Sequence, residues 1–526
     1  MILSCVNCYG ANPDQDIFII YTNDVHCSVN ENIGYAGLQS FKKQIQKLSP
    51  YVALVDAGDW SQGEIIGAIS QGRYIVEIMN ALNYDVAVPG NHEFDYGWSQ
   101  FLNFSEKLKC GFISCNLKDL TTDELVFKPY KIFNYGNIKI AFVGICTPES
   151  LLKSTPSTFM NREGKYIYDF CGDDTGNKLC ASIQKAVDDA KKDGADFVIA
   201  VCHLGEKEKV IEVWSAPFIA AHTKGIDAFI DGHSREEVQA MKIKNADGKE
   251  TIITQTGARL NNIGLMKITT DGEIKTELID HVDERDEEIT ALIENIKERY
   301  QSILDEKLSF ADFTLRAVDD QGKWLIRNNE TGLCDLITDA ILDSTSDTMT
   351  GKADIALFNA GGIRANIESG EILYSDVLNV LPFNNTVCII EASGQTILDE
   401  LEMGVRLMPN NSGGLLHVAG LTYMVDINIP SPVKIDNKNR LYDISEGRRV
   451  FNVVINGKEI DPKRYYKIAS TSYTLRSGGD GHLFTDAVLI EPEYSVAADV
   501  LAHYIKKFTL VPEIYDRSQE RMKVIK

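Results

Sequence analysis

The stretch "YDVAVPGNHEFD" at residues 84–95 runs apolar and then breaks into Gly90, Asn91 and His92. Four more segments of the first half break the same way: "DIFIIYTND" at 16–24, "YVALVDAGD" at 51–59, "ADFVIAVCHLG" at 195–205 and "IDAFIDGHS" at 226–234. Each carries a short apolar run that ends in Gly, Asp, Asn or His, the signature of a buried strand, and amphipathic helical patterns alternate with them. The reading is an α/β sandwich. In open α/β sheets ligands bind outside the carboxyl ends of strands, so the five breaks are expected to face one crevice.

At 526 residues the chain is too long for one core, because single cores stop growing near ~250–300 residues. Two domains are expected: 14–284, then a linker helix at 285–308, then a smaller α/β domain at 309–526. The linker is read from "RDEEITALIENIKERYQSILDEK", where Ile289, Leu292, Ile293, Ile296, Tyr300 and Ile303 recur at helical spacing among charges. Beyond it come helix "GLCDLITDAIL", strand "ADIALFNAGG", a helix near 391–407, and β-rich "LTYMVDI" and "RVFNVVI".

The balance of 53 basic against 76 acidic residues, a net charge of −23, repels phosphate backbones and argues against nucleic-acid binding. No run of ~18 apolar residues is present to span a membrane. The N-terminal "MILSCVNCYGANPDQD" lacks the basic and apolar regions of a signal peptide. Among eleven cysteines, Cys5 and Cys8 make a weak C-x-x-C. Cys171 and Cys180 are the pair to test first for a disulfide, and Cys27 and Cys202 read as packing neighbours.

Together the strand ends carry Asp24 and His26, Asp59, Asn91 and His92, His203, and His233. Four of the nine histidines thus fall at these breaks. This order of motifs resembles the calcineurin-like metallophosphoesterases, and with the second half the chain resembles the 5'-nucleotidase family over nearly its whole length. The resemblance implies a four-layer N-terminal domain and two divalent ions. Asp24, His26 and Asp59 would hold one ion, and Asp59, Asn91, His203 and His233 the other. Mixed imidazole and carboxylate ligands suit Zn, Mn, Co or Fe rather than calcium. Two such ions would bring a bound hydroxide, the expected nucleophile, into the neutral range. His92 would then be the proton donor to the leaving oxygen, with Asp95 fixing its tautomer.

In the second half, "FNAGGIRANI" sets Asn359, Gly361, Gly362 and Arg364 after a strand, and "SGGDGHLF" sets Asp480 in a glycine turn able to meet a ribose diol. With "LPFNN" at 381–385 they match the nucleotidase C-terminal domain, which in that family presents a nucleotide's phosphate to the metals. Arg327 matches a further anion-binding arginine of the family. The two ring positions that sandwich the base there are Leu415 and Thr474 here, with Tyr473 one residue off. One aliphatic plate is therefore expected, with loose base specificity or a substrate other than a simple purine monophosphate, unless Phe383 or Tyr423 repacks to supply a ring.

The expected activity is release of phosphate from nucleoside 5'-monophosphates. The alternatives are UDP-sugar, 2',3'-cyclic nucleotide or other ester hydrolysis on the same fold, or a non-catalytic surface ligand-binding protein. Family likeness suggests a periplasmic, cell-surface or secreted setting. In "DGHSREE" at 231–237 Arg235 takes a place where the family commonly has a further ligand to the first metal. A guanidinium has no lone pair to give, so a more loosely bound first metal is expected.

Overall fold

The structure, a computed structural model, describes residues 13–525 apart from 155, 162–164, 384, 437–438 and 477. Cys5 and Cys8 lie outside the described residues. The chain divides into two compact units: residues 1–159 with 166–300, and residues 160–165 with 301–526.

Unit 1 is built on two sheets. One has the strand order Ile274–Ile279, Ile263–Ile268, Ile17–Thr22, Val52–Asp56, Val86–Ala87. The other runs Glu237–Lys244, Glu250–Thr256, Ala228–Ile230, Phe197–Cys202, Ile138–Ile145, Tyr130–Tyr135. Side chains alternate across a strand, and the first strand uses both faces. Ile17, Ile19 and Tyr21 join the cluster between the sheets, while Phe18 and Ile20 pack outward with Leu38 and Phe41 of helix Gly34–Gln46. The second sheet's outer face is covered by helix Asn177–Lys192 through Leu179, Ile183 and Val187. The result is four layers, helix, sheet, sheet, helix. Tyr21 ties the sheets together, its hydroxyl 2.5 Å from Thr254 Oγ1. A Cβ at Gly264 would sit 1.9 Å from the Tyr21 ring, so only glycine leaves room for it.

The parallel strands Ile17–Thr22, Val52–Asp56 and Val86–Ala87 are in register at their carboxyl ends, with Thr22 beside Asp56 and Asp56 beside Ala87. In the other sheet Ile230 is beside Val201. The strand read from "YDVAVP" shrinks to two residues, because Pro89 has no N–H to extend a ladder.

The helix expected at 285–307 spans Glu287–Leu304. Asp286 Oδ1 accepts from the Ile289 N–H and caps its start. Ile289, Ile293 and Ile296 are buried in the core of unit 1.

Unit 2 centres on a five-stranded sheet ordered Leu416–Ala419, Ile355–Asn359, Tyr465–Thr471, Thr386–Ser393, Val488–Val496. Ala356 and Phe358 pack on one face with Leu333 and Ile337 of helix Gly332–Ser344 and Leu501 of helix Ala497–Ile505. Ile355 and Leu357 pack on the other with Ile397 and Leu401 of helix Gly394–Gly404. The unit also holds a four-stranded sheet that includes Leu421–Asp426 and Val450–Ile455, and two two-stranded sheets.

Candidate metal and ligand sites

The aligned strand ends of unit 1 deliver their loops to one place. Asp59 lies in two groups of donor atoms that all fall within 4.8 Å of one another: His26, Asp59 and His92, and Asp59, His203 and His233. His203 Nε2 is 3.1 Å from Asp59 Oδ2, His26 Nε2 3.8 Å and His92 Nε2 4.0 Å. Asp24 Oδ1 lies 3.7 Å from His26 Nε2. The backbone bends sharply to aim these groups: Asp24, His26, Asp59 and His233 all have positive φ, at 51°, 49°, 62° and 79°. Left-handed conformations at non-glycine residues cost free energy and cluster at functional sites.

Four buried atoms around Asp59 lack a hydrogen-bond partner: Asp24 Oδ1, His26 Nε2, Asn91 Oδ1 and His203 Nε2. The 3.1 Å approach of His203 Nε2 to Asp59 is an ion-pair distance without hydrogen-bond alignment. Orphaned buried polar atoms are rare and costly. These four are a carboxylate oxygen, an amide oxygen and two imidazole nitrogens, which is the donor chemistry of a divalent transition metal. The residues present therefore fit such ions.

The outward nitrogens of the same rings are engaged. His203 Nδ1 is 2.7 Å from the Ala57 carbonyl, His26 Nδ1 is 3.0 Å from the Gln62 carbonyl, and His233 Nε2 is 2.7 Å from Glu149 Oε2. Each acceptor fixes a tautomer and leaves the other nitrogen's lone pair for the cluster. Glu149 was not visible in the sequence, since it stands 84 positions from His233. It also accepts from Lys153 Nζ at 2.7 Å and the Ile211 N–H at 2.8 Å. Burial works against the charge, but the contacts with His233, Lys153 and Ile211 hold its carboxyl down at about 2.

Glu93 is a second residue the sequence reading passed over. Its carboxylate accepts from the N–H groups of Asp59, Trp60, Ser61 and Gly90 at 2.7–3.0 Å, bolting the loop of Asp59 to that of Asn91. Gly90 is required by the same closeness, for a Cβ there would lie 2.2 Å from Asp59 Oδ1.

His92 Nδ1 is 2.6 Å from Asp95 Oδ2, and Ser154 donates to Asp95 Oδ1 at 3.1 Å. Burial opposes protonation of His92, while the Asp59 and Asp95 carboxylates outweigh it and favour the imidazolium. Arg235 lies with its Nε 3.7 Å from Asp24 Oδ1, half-exposed and at φ 60°.

In unit 2, Arg327, Asn359, Gly361, Gly362, Arg364, Tyr473 and Asp480 all line one cavity of about 280 Å³, together with Phe383, Asn385 and Gly413. Asn359 Nδ2 donates to Asp480 Oδ2 at 2.8 Å. The expected base plates are placed differently. Leu415 and Thr474 are sealed in the core, and Tyr423 is buried with its hydroxyl on the Leu416 carbonyl. The rings exposed in the cavity are Tyr473 and Phe383, at 37% and 46%. Tyr473 rests on Gly479, where a Cβ would come within 2.3 Å of the ring. The expected aliphatic plate, Leu415, is therefore absent from the cavity surface, which carries two aromatic rings from separate segments instead.

Cys171 and Cys180 are both free thiols, as are buried Cys27 and Cys202. Among the described residues no helix is long and apolar enough to cross a membrane.

The family model for calcineurin-like phosphoesterases matches residues 19–236, and that for the 5'-nucleotidase C-terminal domain matches residues 318–487. The chain is 26% identical over 566 residues to the trifunctional nucleotide phosphoesterase protein YfkN of Bacillus subtilis, a match that covers 97% of this chain and 36% of that longer protein. It is 25% identical over 524 residues to a 5'-nucleotidase of Vibrio parahaemolyticus, covering 90% of this chain and 86% of that one. The fold matches a putative 5'-nucleotidase of Staphylococcus aureus with a TM-score of 0.62 at 19% identity, over 97% of this chain and 100% of the other. The chain belongs to the 5'-nucleotidase family, hydrolases that join a calcineurin-like metallophosphoesterase domain to a 5'-nucleotidase C-terminal domain. That fold implies divalent metal ions and phosphoester hydrolysis.

Proposed function

We propose that the chain releases phosphate from nucleoside 5'-monophosphates, with unit 2 holding the nucleoside and the cluster around Asp59 acting on its phosphate. The observation that carries this reading is the set of four unpartnered buried donors about Asp59. We assign two divalent ions of Zn, Mn, Co or Fe to it, Asp24, His26 and Asp59 holding one, and Asp59, Asn91, His203 and His233 the other. When bound, such ions supply Lewis-acid polarisation of a phosphoryl oxygen and an acidified water.

The remaining work falls to the chain's own groups. His92 carries the proton that goes to the leaving 5'-oxygen, and Asp95, 2.6 Å from Nδ1, holds the ring so that Nε2 makes the transfer. Glu93 keeps the Asp59 and Asn91 loops at fixed spacing. In unit 2, Asp480, braced by Asn359, accepts from the ribose hydroxyls. Tyr473 and Phe383 receive the base, and Arg327 and Arg364 supply positive charge to the anionic end of the nucleotide.

The test is a phosphate-release screen over AMP, UMP, cyclic nucleotides and UDP-sugars with added Mn²⁺ or Zn²⁺. Preference for the monophosphates supports the reading; turnover confined to another ester, or metal-independent turnover, overturns it. His92→Ala should lower kcat by about 10²–10⁴-fold, and Asp59→Asn should abolish activity and lower metal content together.

A further inference from the structure

Trp324 lies outside every residue set named so far, yet both arginines of the unit 2 cavity converge on it. The Arg327 guanidinium is 4.6 Å from the centre of its ring, and that of Arg364 is 5.7 Å from the same ring. Arg364 also lies 5.9 Å from the Phe383 ring. The two arginines come from separate segments. Arg327 follows Trp324 by three residues and its carbonyl accepts from the Ser412 N–H at 2.9 Å; Arg364 closes the glycine turn after strand Ile355–Asn359, its N–H on the Val380 carbonyl at 2.9 Å. Their backbones are anchored, so the side chains alone decide where the charges meet.

Two guanidiniums in one cavity repel, and Arg327 is in addition partly buried with its Nε lacking any hydrogen-bond partner. The Asp480 carboxylate in the same cavity offsets part of this repulsion for Arg327, and an attractive surface fixed beside both cations keeps them together when no ligand anion is bound. The face of an indole attracts cations through its quadrupole. Trp324 is itself fixed: it pairs with Val318 in an antiparallel bridge and packs on the unit 2 core. An anchored ring within 5.7 Å of both guanidiniums constrains their positions and their spacing.

We propose that Trp324 is a positioning residue that holds Arg327 and Arg364 as a paired clamp for the anionic group of the ligand in this cavity. The identity of that ligand rests on the nucleotide reading above; the clamp itself rests on the geometry of the three side chains.

The experiment uses the full chain with divalent ions stripped by chelator, and titrates AMP, adenosine and inorganic pyrophosphate by calorimetry. Trp324→Leu should weaken AMP and pyrophosphate roughly tenfold and adenosine less than about twofold, and Trp324→Phe should recover most of the loss. With metal restored, Trp324→Leu should raise KM for AMP far more than it lowers kcat. Equal losses for AMP and adenosine, no loss at all, or a Phe variant no better than Leu overturns the proposal. Should Trp324→Leu fail to fold, indole emission decides: a change on adding pyrophosphate that disappears in Trp324→Phe supports the clamp, and an unaltered change refutes it. If the parent chain binds pyrophosphate but neither AMP nor UMP, the nucleotide reading falls while the clamp stands.

Discussion

Arg235 Nε lies 3.7 Å from Asp24 Oδ1, the one oxygen of that buried carboxylate without a hydrogen-bond partner. The other oxygen is already used, accepting from Asn23 Nδ2 at 2.8 Å and the His233 N–H at 2.9 Å. A fixed cation beside a donor competes with a metal for it, since the guanidinium never loses its charge. The two halves of the cluster are therefore unequal. On the opposite side the nearby cation Lys153 is offset by Glu149.

Replacing Arg235 by Gln should tighten the weaker-bound ion by about 10-fold, the lower end of what residues behind the ligands contribute to metal affinity. Chelator competition with Mn²⁺ on parent and variant measures it. Identical affinities at both sites, before and after the change, would sink the idea.

Glu149 makes a companion prediction. Its contact fixes the His233 ring from behind, so Glu149→Ala should cost about 10–100-fold in retained metal while the melting temperature stays close to the parent's. Glu149→Gln keeps an acceptor oxygen and should lose less. Metal content after gel filtration reads the difference, and full occupancy in the Ala variant would show that Ile211 and Lys153, not His233, are what Glu149 serves.

The exposed rings of Tyr473 and Phe383 predict tighter binding of the base than an aliphatic plate would give. Stacking is worth about 1–3 kcal/mol per base, so Phe383→Ala should raise KM for AMP by roughly tenfold and leave ribose 5-phosphate nearly unaffected. Gly479→Ala should act like loss of Tyr473, because the added methyl collides with that ring. Equal KM shifts for AMP and ribose 5-phosphate would count against stacking.

The strand ends were legible because parallel strands in register put consecutive turn residues at one edge, so a pattern local in sequence reports a cluster in space. His26, Asp59, His203 and His233 could be picked out that way. Glu149 could not, for its meaning depends on a fold that carries it to a histidine 84 positions distant. Glu93 stood in plain view within "GNHEFD", but its role is played entirely toward backbone N–H groups, which leave no mark on residue types. Leu415 misled for a related reason: its position in a motif says which residue aligns, while burial says which face it turns, and its face is turned to the core. Of the two rings the sequence offered in its place, Phe383 lines the cavity while Tyr423 is buried, a choice that burial makes and residue type does not.

His417 supplies a prediction on stability rather than catalysis. It sits fully buried on strand Leu416–Ala419, with Nε2 3.0 Å from the Ile326 carbonyl, so the neutral ring donates there. Burial pushes its pKa down from 6.5 to about 4. A group depressed on folding takes up its proton in the unfolded chain first. The stability it supports is therefore present above pH 6.5 and is lost as pH falls toward 4. The full loss is about 3 kcal/mol for a shift of this size. Urea unfolding of unit 2, followed at pH 7.5 and 4.5, should show a midpoint that drops steeply with acid. His417→Gln can still donate to Ile326 and does not titrate, so it should flatten the acid dependence while costing about 1 kcal/mol or less at pH 7.5. An acid loss of the same size in the variant would place the sensitivity elsewhere, among carboxylates rather than on this imidazole.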